Sequence, residues 1–275
     1  MIPKIIHYCW FGGKPLPELA IKCIASWKKY FPNYEIKEWN ETNYDIHKIP
    51  YTSEAYNVKK YAFVSDYARF DILYKYGGIY FDIDVEVIKP FDEILKNGGF
   101  MGFEYVGNLY SGLSIGCNSG LGIGCNSGLG IVYQVLEYYS NLRFINIDGS
   151  YNLHTVVEYV TDIFKRNGLK YENIIQRFDG ITIYPTEYFA PKSYITREST
   201  ITENTYSIHN YDGSWVPENE KTYHTIKVKL CRVFGYRSGI IISFPLFVGT
   251  NIKNRGMKNG LKFILNKIKD QQVKD

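Results

Sequence analysis

Two spacings of apolar residues alternate along the first hundred positions, and each switch between them marks an element. Lys4–Trp10 is apolar on both faces, which predicts a buried strand of a parallel sheet. Gly12 and Gly13 mark a turn. Leu19, Ile24 and Trp27 then fall on one side of a helix predicted over Pro17–Tyr30 and closed by Pro32. Tyr34–Trp39 predicts a second strand. A strand, a helix and a strand within about 35 residues form a βαβ unit, so the chain is predicted to be α/β with a parallel sheet.

Further on, Lys59–Tyr76 predicts a helix stopped by Gly77-Gly78. Short strands are expected at Ile79–Asp82 and Val85–Ile88, a turn and short helix at Pro90 and FDEILKN, and a strand at Gly99–Glu104. Helices are expected at Ile131–Phe144 and Tyr151–Arg166. Weak strands and proline-bearing loops fill 174–204, and a short strand leads into the loop HNYDGSW by 215. Residues 251–269 place Met257, Leu261, Ile264, Leu265 and Ile268 at helical spacing among lysines. No Ser/Gly/Pro linker interrupts the chain, so one domain over 1–235 with a basic amphipathic tail over 236–275 is expected.

One octapeptide, IGCNSGLG, stands at 115–122 and again at 123–130. Two copies of eight residues are too short to stack as a solenoid. The expected reading is an in-frame duplication within a loop, where added length costs little.

Composition narrows the class. At 275 residues the chain can bury a full core without disulfide or metal staples. The 45% hydrophobic and 22% charged content excludes disorder and fibrous repeats. The 26 Tyr, 16 Phe and 4 Trp make up 17% of the chain, which reads first as an aromatic-rich core. A net charge of +4 does not make a nucleic-acid footprint. It is unevenly spread, however: residues 221–275 hold 12 basic and 2 acidic residues, so the body before them is net acidic. Cys9, Cys23, Cys117, Cys125 and Cys231 show neither C-x-x-C nor zinc spacing, which suits a reducing cytoplasm. MIPKIIHYCW lacks the layout of a secretory leader. The apolar stretch Ile240–Val248 is about half the ~20 residues a transmembrane helix needs.

The chemistry concentrates in SDYARFDILYKYGGIYFDID at 65–84. Asp82 and Asp84 flank Ile83 where an apolar strand ends, and two such carboxylates can share one hard divalent cation that keeps positions open for phosphates. Ligands of open α/β sheets sit at those strand ends. With 12 Asp in the chain a D-x-D arises by chance in about every second such sequence, so context carries the weight. Asp66 and Arg69, spaced i, i+3 on the preceding helix, share one face.

At this point the sequence resembles the glycosyltransferases that carry a D-x-D sugar-binding region. That group takes in yeast outer-chain mannosyltransferases, bacterial capsular polysaccharide transferases and, more remotely, glucosylating toxins. IPKIIHYCWFGGKPLP at 2–17, SWKKYFPNYEIKEWNETN at 26–43, SDYARFDILYKYGGIYFDIDV at 65–85 and IHNYDGSW at 208–215 carry the resemblance. It implies a GT-A fold, a Rossmann-like mixed sheet flanked by helices. By resemblance, Trp10 stacks on the donor base, Asp66 and Arg69 hold the donor sugar with Tyr80 beside them, and Asp82 and Asp84 take the metal and diphosphate. His209 matches a late metal ligand, and Ser214-Trp215 a loop closing over the diphosphate. The implied partners are Mn²⁺ or Mg²⁺, a nucleotide-sugar donor (a UDP-sugar favoured) and a glycan or polyprenyl-linked acceptor, with transfer that retains anomeric configuration in capsular or surface polysaccharide synthesis.

Two other classes compete. In a haloacid-dehalogenase-type phosphatase an apolar strand also runs into D-x-D, but Glu86 stands where that motif expects Thr or Val. A glycan-binding module would use the aromatic residues but has no need of Asp66, Arg69, Asp82 and Asp84 together. The basic tail has two readings, a solvated helix face or a face laid on an anionic membrane; the apolar stretch before its lysines favours the second, which would place a cytoplasmic protein peripherally on the inner face of a membrane.

Overall fold

The computed structural model describes residues 2–104, 117–118, 123–125, 130–178, 180–193, 197–213, 218–257, 260–261 and 263–265. The chain divides into two compact units. The first comprises 1–106, 114–192 and 200–211, and the second 107–113, 193–199 and 212–275. The last segment of the first unit ends at Tyr211.

The first unit is a mixed α/β sheet whose strands run β2-β1-β3-β7-β5-β9-β8, with β6 also on β5. β1 (Ile5–Cys9), α1 (Glu18–Tyr30) and β2 (Glu35–Trp39) form the predicted βαβ unit, and β1 pairs parallel with both β2 and β3 (Gly78–Tyr80). β5 (Gly99–Phe103) and β9 (Ile181–Tyr184) are parallel, and β8 (Gln176–Phe178) is antiparallel to β9. β4 (Val85–Val87) leaves this sheet to pair antiparallel with β10 (Ser207–His209). This is the Rossmann-like mixed sheet flanked by helices that a GT-A fold requires.

Successive side chains of β1 point to opposite faces. Ile6 and Tyr8 enter one core with Trp27, Phe31, Phe81, Phe91 and Phe189, while Cys9 joins the other with Trp39, Tyr51 and Phe63. The aromatic excess is thus core material: the Phe91 ring lies 5.4–5.9 Å from those of Phe31, Phe81, Phe100, Phe189 and Tyr206.

Four sequence expectations change. The helix expected from Tyr151 starts at Val156, because Thr155 and Glu158 close a capping box there. The helix α2 (Pro50–Asn57) was not expected, since eight residues give little periodicity; Pro50 opens it at its first turn. The helix pattern over 251–269 is interrupted at Gly256, whose φ of 74° ends α9 (Tyr236–Arg255). Finally, the octapeptides are not wholly loop. The first contributes β6 (Cys117–Asn118), antiparallel to β5. The second contributes β7 (Ile123–Cys125), which lies between β3 and β5 and pairs antiparallel with each. The rest of 115–129 lies outside the described residues.

The second unit holds α8 (Glu218–Phe234) and α9 as an antiparallel hairpin. Asn254 meets Asn219 and Glu220 at one end, and the Tyr223 and Phe247 rings are 5.6 Å apart in the middle. At the other end Gly239 lies so close to Cys231 that a Cβ there would sit 2.5 Å from its backbone.

Candidate active site

Helix α3 (Tyr61–Tyr76) is buried on nearly every side, from Phe63 to Leu73. Such a helix reads as apolar all round, and the charges it carries inward need partners. Asp71 takes the Tyr44 hydroxyl at 3.1 Å and the Lys48 ammonium, a tie that sequence spacing did not reveal. Asp66 and Arg69 turn toward the sheet. Arg69 Nη2 donates to Asp66 Oδ1 at 2.8 Å and lies 3.3 Å from Asp82 Oδ1, Nε donates to the Ser65 carbonyl, and the guanidinium lies 5.0 Å from the Tyr80 ring centroid. Arg69 therefore bridges α3 to the D-x-D segment.

The helix-to-strand turn that sets this approach depends on Gly78. Its φ is +96°, and a Cβ would meet the Ile5 carbonyl at 2.7 Å. His7 locks the same turn. Trp39 Nε1 donates to His7 Nδ1 at 3.1 Å, so the ring proton sits on Nε2 and donates to the Gly77 carbonyl at 3.0 Å. Burial pushes the His7 pKa down to about 4, so the ring is neutral.

Strand β3 ends at Tyr80, two residues before the end expected. Asp82 to Val85 forms a tight turn closed by Val85 N–H on the Asp82 carbonyl at 3.0 Å. The Tyr80 hydroxyl donates to Asp82 at 3.3 Å from a fully buried ring, so Tyr80 supports the site from beneath. β10 lies alongside with His209 opposite Val85, which brings His209 Nε2 to 3.2 Å from Asp84 Oδ1. Ligand atoms of Asp82, Asp84 and His209 all lie within 4.8 Å of one another. Among the described residues, His209 Nδ1 is buried without a hydrogen-bond partner. Two carboxylates and an imidazole fit a divalent cation.

The electrostatics match this arrangement. Burial raises the Asp66 pKa to about 7; Arg69 opposes the rise and the Asp82 charge adds to it. Burial alone would depress His209, but Asp84, with Glu104 and Asp82, outweighs it and raises the pKa. Burial holds the Cys9 thiol near 12, leaving it unreactive beneath the site.

Trp10 follows β1 at its carboxyl end, half-buried, with Nε1 donating to the Lys14 carbonyl. Ser214 and Trp215 lie outside the described residues. Sequence reading missed the supports of the D-x-D turn. Trp27 Nε1 donates to the Val85 carbonyl at 2.8 Å, Ser26 Oγ accepts from Val87 N–H at 2.9 Å, and Lys22 pairs with Glu86. All three come from α1. The i, i+4 spacing of Lys22 and Ser26 was visible, with Trp27 next in the chain, but nothing in the sequence says what that face meets.

Residues 17–100 match the family described as the glycosyltransferase sugar-binding region containing a DXD motif. The inositol phosphoceramide mannosyltransferase 3 of Schizosaccharomyces pombe is 35% identical over 102 residues, covering 34% of this chain and 27% of that protein. The chain thus spans about a quarter of that relative's length. An uncharacterized glycosyltransferase, L373, of Acanthamoeba polyphaga mimivirus is 25% identical over 85% of this chain and 88% of its own. Among solved structures, the PaToxG glycosyltransferase superposes with a TM-score of 0.48 at 19% identity, over 61% of this chain and 70% of that one.

Proposed function

We propose that this chain, a DXD-type glycosyltransferase over residues 17–100, moves a hexose from a nucleotide-diphosphate sugar to a glycan or lipid-linked glycan in surface polysaccharide synthesis. The observation that carries the reading is the continuous polar line Asp66–Arg69–Asp82, which ends on the Asp82, Asp84, His209 cluster at the carboxyl end of β3. A phosphatase needs no buried Asp66–Arg69 pair behind its D-x-D, and a glycan-binding module needs no metal-ligand cluster.

In this reading Asp82, Asp84 and His209 hold Mn²⁺, which when bound neutralises charge on the departing diphosphate. Trp10 stacks on the base. Asp66, once ionised, accepts hydrogen bonds from hexose hydroxyls, and Arg69 fixes its orientation. The acceptor hydroxyl attacks the anomeric carbon on the face the diphosphate leaves, and its proton passes to the departing phosphate oxygen. Configuration is retained without a covalent glycosyl-enzyme. The donor is a UDP-sugar on the resemblance alone, whereas the name of the fungal relative favours mannose. The location is cytoplasmic, in keeping with buried free thiols at Cys9, Cys23 and Cys231.

The test is nucleotide release from UDP-glucose, UDP-galactose, UDP-N-acetylhexosamines and GDP-mannose, with Mn²⁺, with and without acceptor sugars. Release that needs metal and disappears in Asp82→Asn and Asp84→Asn, with melting unchanged, supports the reading. Wild-type release by either variant removes it.

A further inference from the structure

The residues of α9 face the wrong way for a helix in water. Its fully buried positions are small or polar, Gly239, Ser243, Thr250 and Asn251, with half-buried Ile240, Phe247 and Val248 beside them and Phe247 against Tyr223 of α8. Its outward face carries the bulk of its apolar surface, with Ile241 72% and Ile242 48% exposed and Phe244 and Leu246 beside them. A water-facing amphipathic helix does the reverse. Small residues at the helix contact and large apolar ones outside are the arrangement of helices packed within lipid, where backbones gain by close approach and apolar side chains meet acyl chains. The contact with Cys231 at Gly239 is such an approach. A second occurs at Gly260, where a Cβ would lie 2.9 Å from the Asn251 carbonyl. Ser243 and Asn251 return their side chains to the helix's own carbonyls, at Ile240 and Phe247.

Charge limits what can cover this face. Residues 238–252 contain no charged side chain, a stretch of roughly 22 Å at the helical rise. Basic residues adjoin it: exposed Lys253 continues the Ile242, Leu246, Gly249 row, and on α8 Lys229 shares an exposed face with Ile226 and Val233. Residues 221–275 carry 12 basic and 2 acidic residues. Among the described residues no helix is long and apolar enough to cross a membrane. An apolar helix face rimmed by lysines, too short to span, fits the interface of an anionic bilayer, with the face among acyl chains and the ammonium groups at the phosphates.

We propose that the α8–α9 hairpin docks in the plane of an anionic lipid bilayer through Ile241, Ile242, Phe244 and Leu246, with Lys229 and Lys253 on the headgroups. This surface is distinct from the D-x-D site and does not depend on which sugar the site transfers. The full chain is tested by co-sedimentation with vesicles of phosphatidylcholine alone and of phosphatidylcholine with phosphatidylglycerol. Tighter binding to the anionic vesicles is expected, weakened about tenfold or more both by Ile241→Ser with Ile242→Ser and by Lys229→Glu with Lys253→Glu. Ile241→Trp is read separately: its emission shifts to the blue on adding anionic vesicles if the face enters lipid. Binding equal to wild type in both double variants, or no shift of the Trp emission, overturns the proposal. So does a wild type that leaves vesicles in solution and instead forms a dimer dispersed by the Ile variants, because a second copy then covers the face.

Discussion

Asn210 grips the backbone of Asp84 with two hydrogen bonds: its N–H and its side-chain Nδ2 donate to the Asp84 carbonyl at 3.0 and 3.1 Å. Lys192 Nζ holds the Asn210 side-chain oxygen in turn at 3.3 Å. The D-x-D turn is therefore clamped from β10 on one side and from α1 on the other. Outer partners of this kind set the orientation of metal ligands, and losing one costs about 10–100-fold in metal affinity. Asn210→Ala is expected to weaken Mn²⁺ binding by that range while the fold melts as before. Calorimetric titration of the purified protein with Mn²⁺ measures it, and Asp84→Asn sets the scale for loss of a direct ligand.

The sign of the pH response follows from Asp66. Burial raises its pKa to about 7, with Arg69 opposing and Asp82 adding to the shift. Above that value the carboxylate is charged and can accept from sugar hydroxyls; below it the acid is neutral and one acceptor is lost. kcat/KM for the donor is expected to rise through about pH 7, since that ratio reports the free enzyme. Mn²⁺ at Asp82 offsets one of the causes of the shift, so the rise moves to lower pH as metal saturates. Asp66→Asn flattens this limb. A profile that stays flat from pH 6 to 8 in the wild type, at about sub-saturating metal, counts against the role of Asp66.

His7 gives stability a separate acid limb. Burial depresses its folded pKa to about 4 from a reference of 6.5. Above 6.5 neither state takes the proton and the interaction is fully present. As pH falls from 6.5 toward 4 the unfolded chain protonates while the folded one does not, so stability falls. The shift corresponds to roughly 3 kcal/mol once pH is below 4. His7→Gln should be less stable at neutral pH, having lost the locked turn at Gly77, but should lose less between pH 6.5 and 4. Urea melts at several pH values compare the two slopes.

The legible parts of this molecule were those fixed by local physics. The βαβ unit showed in its periodicity, and Gly77-Gly78 showed as a turn because only glycine tolerates that backbone. Asp66, Arg69, Asp82 and Asp84 stood out through strand-end placement and helix spacing. The supports were not legible. Ser26, Trp27 and Asn210 act across 58 to 126 residues of chain, and no local pattern encodes which strand a helix face will meet. The inverted α9 was hidden for the same reason: its composition reads as apolar, and only packing against α8 shows which side faces out.

The tandem octapeptide supplies the last prediction. Its second copy provides β7, which joins β3 to β5 and so links the two halves of the sheet, while its first copy pairs further along the same edge of β5. The copies are identical, so deleting 115–122 puts the same IGCNSGLG residues in the central slot. The remaining connection from Glu104 to Ser114 is still long enough for an antiparallel return. A single deletion is therefore expected to keep a cooperative melt within about 1 kcal/mol of wild type, as loop-length changes cost little. Deleting both copies leaves β3 and β5 facing each other with unpaired backbone groups, which burial penalises heavily. That variant should lose the cooperative transition. Circular-dichroism melts of the three proteins decide it: a single deletion that also unfolds would show that both copies are needed in the sheet at once.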